Sequence, residues 1–222
     1  KRVGTVSGFT MLSRATGFLR DIVLAWVIGA GPLADAFFIA LRIPNPFRAL
    51  FAEGAFNASF VPLFARRLEA AGLAAAVAFA EQAQAVLLVA SLGLTLLAIA
   101  TMPWLMQLLA PGFGDDPAQY ALAVELARVT FPYLVFMCLT ALFAGMLNSL
   151  RRYTAAAAAP TVLNVVMIAG LLVAPWVGDT PRVLAWSVTL AGLGQFLVLL
   201  VAAPRPGIPP PPRPPRPTPR GR

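Results

Sequence analysis

The chain has 222 residues, of which 59% are hydrophobic and only 12% charged, against roughly 45–50% apolar and 25% charged in a typical soluble domain. That leaves too little polar surface to wrap a water-soluble core, whereas helices in lipid resolve the mismatch because they satisfy their own backbone hydrogen bonds. The net charge of +8 does not point to nucleic acid, because five of the seventeen basic residues lie after Ala203 and the others stand singly or in pairs among apolar runs, not along one basic face.

There is no histidine and a single cysteine, Cys138, within an apolar run. A disulfide framework, a Cys/His metal site and imidazole acid–base chemistry are therefore excluded, and Cys138 reads as a small hydrophobe. The chain starts at Lys1 without methionine and reads as a fragment. Charges inside its first apolar run are foreign to a cleavable signal peptide.

A membrane crossing needs about 20 largely apolar residues, and six such spans are predicted in chain order. Val3 to Ile28 and Ala34 to about Leu63 come first, and both contain charges. Four charge-free intervals follow, Gln82 to Gly114, Val129 to Leu150, Tyr153 to Gly178 and Val183 to Pro204. The third span ends among Pro103, Pro111, Gly112 and Gly114, residues that punctuate helices.

Lysine and arginine concentrate on the cytoplasmic side. Lys1 and Arg2 precede the first span, Arg66 and Arg67 follow the second, Arg151 and Arg152 the fourth, and the arginine-rich tail the sixth. The alternate loops at Gly29–Pro32, Gly112–Pro117 and Gly178–Pro181 lack basic residues and carry Asp115, Asp116 and Asp179, with Arg182 just beyond. A multi-pass protein with both termini cytoplasmic is expected. Residues 1–203 form the six-helix unit, and residues 204–222, with ten prolines and five arginines, cannot pack or form a helix. This tail reads either as a disordered extension attracted to anionic headgroups or as the product of a truncation or frameshift.

The first two spans hold Arg14, Arg20, Asp21, Asp35, Arg42, Arg48 and Glu53. A charge inside a span costs about 2.5–3.5 kcal/mol on insertion scales, so such residues normally face a cavity or a partner. Arg14, Gly17 and Asp21 share one helical face, with Arg20 offset by roughly 120°, and Gly17 allows a substrate or a neighbouring element to come close. Pro44 and Pro46 interrupt the second span around Asn45, a break tolerated in membranes where protein or water covers the freed backbone. Arg42, Asn45 and Arg48 bracket it, and guanidinium forks match phosphate oxygens. For single residues a structural reading stays open: Arg20 with Asp21, or Asp35 with Arg42, as ion pairs, and Arg42 or Glu53 snorkelling to an interface.

Two stretches, SRATGFLRD at Ser13–Asp21 and GAGPLADAFFIALRIPNPFRALFAEGAFNASFVP at Gly29–Pro62, resemble the signature of the MurJ/MviN family of lipid II flippases. Shorter similarities at APGF (Ala110–Phe113), FPY (Phe131–Tyr133), LNS (Leu147–Ser149) and APTVLN (Ala159–Asn164) extend the resemblance over about Lys1 to Ala203. It implies an all-α integral membrane fold, with six transmembrane helices forming one lobe of a pseudo-symmetric alternating-access transporter of the multidrug/oligosaccharidyl-lipid/polysaccharide exporter superfamily. The implied cargo is lipid II, an undecaprenyl-diphosphate-linked peptidoglycan precursor, moved across the bacterial inner membrane from the cytoplasmic to the periplasmic leaflet. The resemblance further implies that Arg14, Arg20 and Arg48 bind the diphosphate, that Asp21 and Asp35 are matching acids, and that Arg42 occupies a position varying among basic residues. Family members carry a second lobe, which becomes an implied partner alongside membrane lipid, and no cofactor or metal is implied.

Three alternatives stand beside a flippase: another exporter of the superfamily for drugs or polysaccharide lipids, a membrane enzyme acting on polyprenyl diphosphate, and an inert or scaffolding fragment. An enzyme would need an acid cluster for Mg²⁺ or a positioned base. The only adjacent acids, Asp115 and Asp116, fall in a Gly/Pro-rich loop on the opposite side. No Walker loop is present, which argues against ATP hydrolysis by this chain. The expectation is a transporter and not an enzyme.

Overall fold

The computed structural model describes residues 2–49, 55–113 and 116–204, with the side chains of residues 2–6, 48, 55 and 57 outside the description. Glu53, Asp115 and the tail beyond Pro204 therefore lie outside the described residues. What is described is helical: α1 (Arg2–Ile28), α2 (Pro32–Arg42), α3 (Pro44–Arg48), α4 (Ala55–Ala100), α5 (Met102–Leu109), a 3-10 turn at Pro111–Phe113, α6 (Pro117–Thr130), α7 (Tyr133–Ser149), α8 (Tyr153–Val177) and α9 (Thr180–Ala202).

Four runs among the described residues are long and apolar enough to cross a membrane, Ala58–Ala100, Pro117–Ser149, Tyr153–Val177 and Thr180–Ala202, where six were expected. The charges on α1 lower its hydropathy although it is 27 residues long. The second expected span is divided into pieces of 11 and 5 residues, because Pro44 and Pro46 remove the backbone donors that would carry α2 onward.

The basic loop expected between the second and third spans is helix instead, since Arg66 and Arg67 lie within α4. This helix is not one rod. Gly72 has φ 79° and ψ −176°, a combination essentially confined to glycine, and the Phe60 and Phe79 rings stack with centroids 5.7 Å apart. Nineteen residues of straight helix would separate them by roughly 28 Å. The chain therefore doubles back at Gly72, with Phe56, Phe60 and Phe64 in a ladder and the Arg67 guanidinium 4.3 Å from the Phe79 ring centre.

Helix α8 packs between α1 and α9, while α7 joins α9 to α4 and α2 lies along α6. Small residues set the closest approach of α8 and α9: a Cβ added at Gly170 would stand 2.8 Å from Ser187 Cβ. Lipid offers no hydrophobic drive between helices, so such close backbone packing is what holds them. Met11, Phe18, Val86, Val89, Leu172 and Leu190 project outward, as expected where the solvent is hydrocarbon.

Side-chain bonds align the helix ends. Gln119 Nε2 donates to Pro32 O, Tyr120 Oη to Pro103 O, and Arg128 Nε to Ile99 O, bringing the starts of α2 and α5 to the start of α6, and the end of α4 to the Arg128 side chain from the last turn of α6. The exposed Trp26, Trp104, Trp176 and Trp186 fall toward this same end, with Asp116 and Asp179 capping α6 and α9 there. Indole rings favour the headgroup level of a bilayer. At the opposite end Arg152 Nη1 donates to Ala202 O, the last carbonyl of α9.

Candidate functional site: a cavity where two broken helices meet

Pro132, between α6 and α7, interrupts the hydrogen-bond ladder as Pro44 does between α2 and α3, and both breaks open onto one cavity of about 250 Å³. Arg20, Asp21 and Leu24 line it from α1, Phe38 and Leu41 from α2, and Pro44 and Asn45 from α3. Thr130 and Tyr133 flank it at the α6–α7 break, and Leu163 and Met167 of α8 with Val188 of α9 close it. Pro44 has no N–H, so Ala40 O loses its helical donor. The Thr130 hydroxyl lies 3.1 Å from that carbonyl, with Ala127 O at 3.2 Å as its other acceptor. On the far side of the second break, Thr189 donates to Val129 O at 2.6 Å. Hydroxyls thus satisfy carbonyls at both interruptions, which lets them persist inside an apolar bundle.

Among the described side chains, Arg20 is the cation of the cavity. Its Nε and Nη2 donate to Asp21 Oδ1 at 3.0 and 2.8 Å, and its Nη1 donates to Asn164 Oδ1 at 3.0 Å. The side chain is 28% exposed and that of Asp21 63%. Although Arg20 and Asp21 leave the helix in different directions, the length of the arginine lets its head swing onto the neighbouring carboxylate.

The expected set is brought together only in part. Arg20, Asp21 and Asn45 line the cavity. Arg14, Asp35 and Arg42 are exposed and are not among its lining residues. Arg48 belongs to the backbone of α3, with its side chain outside the description. Gly17 faces α8, where a Cβ would meet Asn164 Nδ2 at 3.4 Å, so its neighbour is that buried amide.

Asn164 was not singled out as a site residue from the sequence. The available signal was an amide in the middle of a charge-free span, at the end of the APTVLN match, because an amide buried in hydrocarbon is costly unless it is bonded. Thr130 and Tyr133 were missed for a different reason: hydroxyls in apolar runs are common, and only the meeting of the two breaks marks these.

The family model for lipid II flippase MurJ matches residues 24–221. The chain belongs to the MurJ family. A Rhizobium meliloti relative described as "Probable lipid II flippase MurJ" is 49% identical over 94% of this chain, a coverage that leaves too few residues unaligned to omit Arg20 and Asp21. "Lipid II flippase MurJ" of Burkholderia cenocepacia is 42% identical over 88% of the chain. A solved structure of "Lipid II flippase MurJ, inward closed conformation" superposes with a TM-score of 0.69 at 25% identity, again over 88% of the chain. The chain spans only about 40% of the length of these MurJ proteins.

Proposed function

We propose that this chain is the N-terminal lobe of a flippase that moves lipid II from the cytoplasmic to the periplasmic leaflet of the bacterial inner membrane, completed by a second, C-terminal lobe. The observation that carries the reading is Arg20, held by Asp21 and Asn164 at a cavity where two proline-broken helices meet, in a chain of the MurJ family. In this reading α1 and the α2–α3 pair with the start of α4 are the two polar crossings that complete six, residues 1–203 are the lobe, and residues 204–222 are a cytoplasmic extension. The positions of Arg66, Arg67, Arg151 and Arg152 support cytoplasmic termini, since basic residues stay on that side. Arg20 and Arg48 engage the diphosphate of the carrier lipid, with Arg14, Asp21 and Asp35 shaping the field around it, and the reaction is translocation without bond chemistry.

A graft tests this. Residues 1–203 replace the corresponding part of the Burkholderia cenocepacia relative, and the chimera is expected to rescue a strain depleted of its lipid II flippase. Arg20→Gln or Arg48→Gln is expected to abolish rescue with the protein still inserted. Lysine at either position is expected to restore it only partly, because it keeps the charge and loses the planar fork. Full rescue by both glutamine variants at normal membrane levels overturns the reading.

A further inference from the structure

We propose that Asn164 is a positioning residue for Arg20, fixing its guanidinium against α8 without neutralising it, so that the charge stays available to an anionic headgroup in the cavity. The proposal rests on the reading of the cavity as a diphosphate site.

Asn164 is 5% exposed, and each of its amide atoms is engaged. Nδ2 donates to Ser13 O at 3.0 Å and to Thr16 Oγ1 at 3.1 Å, and the Thr16 hydroxyl in turn donates to Leu12 O at 2.8 Å. These bonds settle the orientation of the amide. Turned over, it would set its oxygen against the Ser13 carbonyl and its NH₂ against the guanidinium, two like pairs in place of two bonds. The amide oxygen is therefore aimed at Arg20 because the NH₂ is held by two acceptors on α1, a turn or two away from Arg20, and Gly17 leaves the opening through which the amide reaches α1.

A guanidinium has five N–H groups. Asp21 takes two and Asn164 one, which leaves one on each terminal nitrogen. The neutrality of the second partner matters. An acid at position 164 would still accept from Arg20, through an ion pair and without the NH₂ anchor on Ser13, but it would add a second negative charge beside the guanidinium, and an incoming diphosphate would meet that charge. A leucine there would leave Arg20 unheld on its α8 side.

These two substitutions separate positioning from simple packing. The 222-residue chain is placed in lipid nanodiscs, Arg20 is probed with phenylglyoxal and read by peptide mass spectrometry, and binding is measured with undecaprenyl diphosphate. Asn164→Leu is expected to raise the modification rate of Arg20 several-fold and to weaken binding about ten-fold, the scale of one hydrogen bond to a charged group. Asn164→Asp is expected to keep Arg20 protected and still weaken binding. In an Arg20→Gln background, Asn164→Leu should cause no further loss of affinity. An unchanged modification rate in Asn164→Leu, or an equal loss of affinity with and without Arg20, overturns the proposal. Should Asn164→Leu fail to insert, the aspartate variant decides alone: protection retained with binding weakened supports positioning, and protection lost overturns it. If the unsubstituted chain ignores undecaprenyl diphosphate, the diphosphate reading fails while the phenylglyoxal comparison still decides whether Asn164 holds Arg20.

Discussion

Two arginines of this chain each make three side-chain bonds and end in different electrostatic states. Arg182, at the start of α9, donates Nε and Nη2 to the two oxygens of Glu125 at 2.6 and 3.0 Å and Nη1 to Asp179. One cation there faces two carboxylates, tying the start of α9 to α6 at the tryptophan-bearing end. Arg20 faces one carboxylate and one neutral amide. The first group carries a local excess of negative charge and repels anions; the second is balanced, so an approaching phosphate meets no surplus of carboxylate. A partner's charge, more than the number of bonds, separates an arginine that fastens helices from one that can serve a ligand. Arg182 also accounts for the basic residue that stood out in an otherwise acidic set of loops.

The largest expected effect tests this contrast directly. Arg20→Gln should weaken undecaprenyl diphosphate binding by about ten-fold or more, while Arg182→Gln should leave it within experimental scatter, both measured by titration in nanodiscs. Equal losses would place the ligand site elsewhere.

An intermediate effect is expected where a polar group is buried without charge. Thr130→Val strips the hydroxyl from the Ala40 carbonyl that Pro44 has orphaned, and a buried unsatisfied carbonyl costs about 1–3 kcal/mol. Thr95 is equally buried, yet its hydroxyl has no partner among the described residues, so Thr95→Val should be neutral or stabilising. Thermal unfolding of the two variants side by side is the measurement, and an indistinguishable pair of midpoints would remove the role assigned to Thr130.

The smallest effect is expected at Arg182 itself. The ion cluster is roughly half exposed, and exposed pairs are screened by salt. Arg182→Ala should lower the midpoint less than Thr130→Val, and its deficit should shrink as salt is raised while that of Thr130→Val stays constant. A salt-independent deficit at Arg182 would mean that the cluster is shielded from solvent, against its half-exposed side chains.

The sequence by itself determined that these helices live in lipid, where most of them run, and where one would break. Composition and the length of apolar runs act locally, and so does a proline's missing donor, which is why α8 and α9 match their expected spans within a few residues and α2 stops at Arg42. Arg20 and Asp21 were legible for the same reason, since a charge in an apolar helix is conspicuous wherever it points. The doubling back of α4 was not, because Gly72 is one of several glycines in helical surroundings and only the Phe60–Phe79 contact reveals the reversal. Nor could the chain order show that the Pro44 and Pro132 breaks share a cavity, or that Asn164 reaches Arg20 across 144 positions. Such pairings depend on how whole helices stack, and that is set by the summed fit of small and large side chains along α1, α8 and α9, a property of the assembled bundle that no local stretch of residues contains.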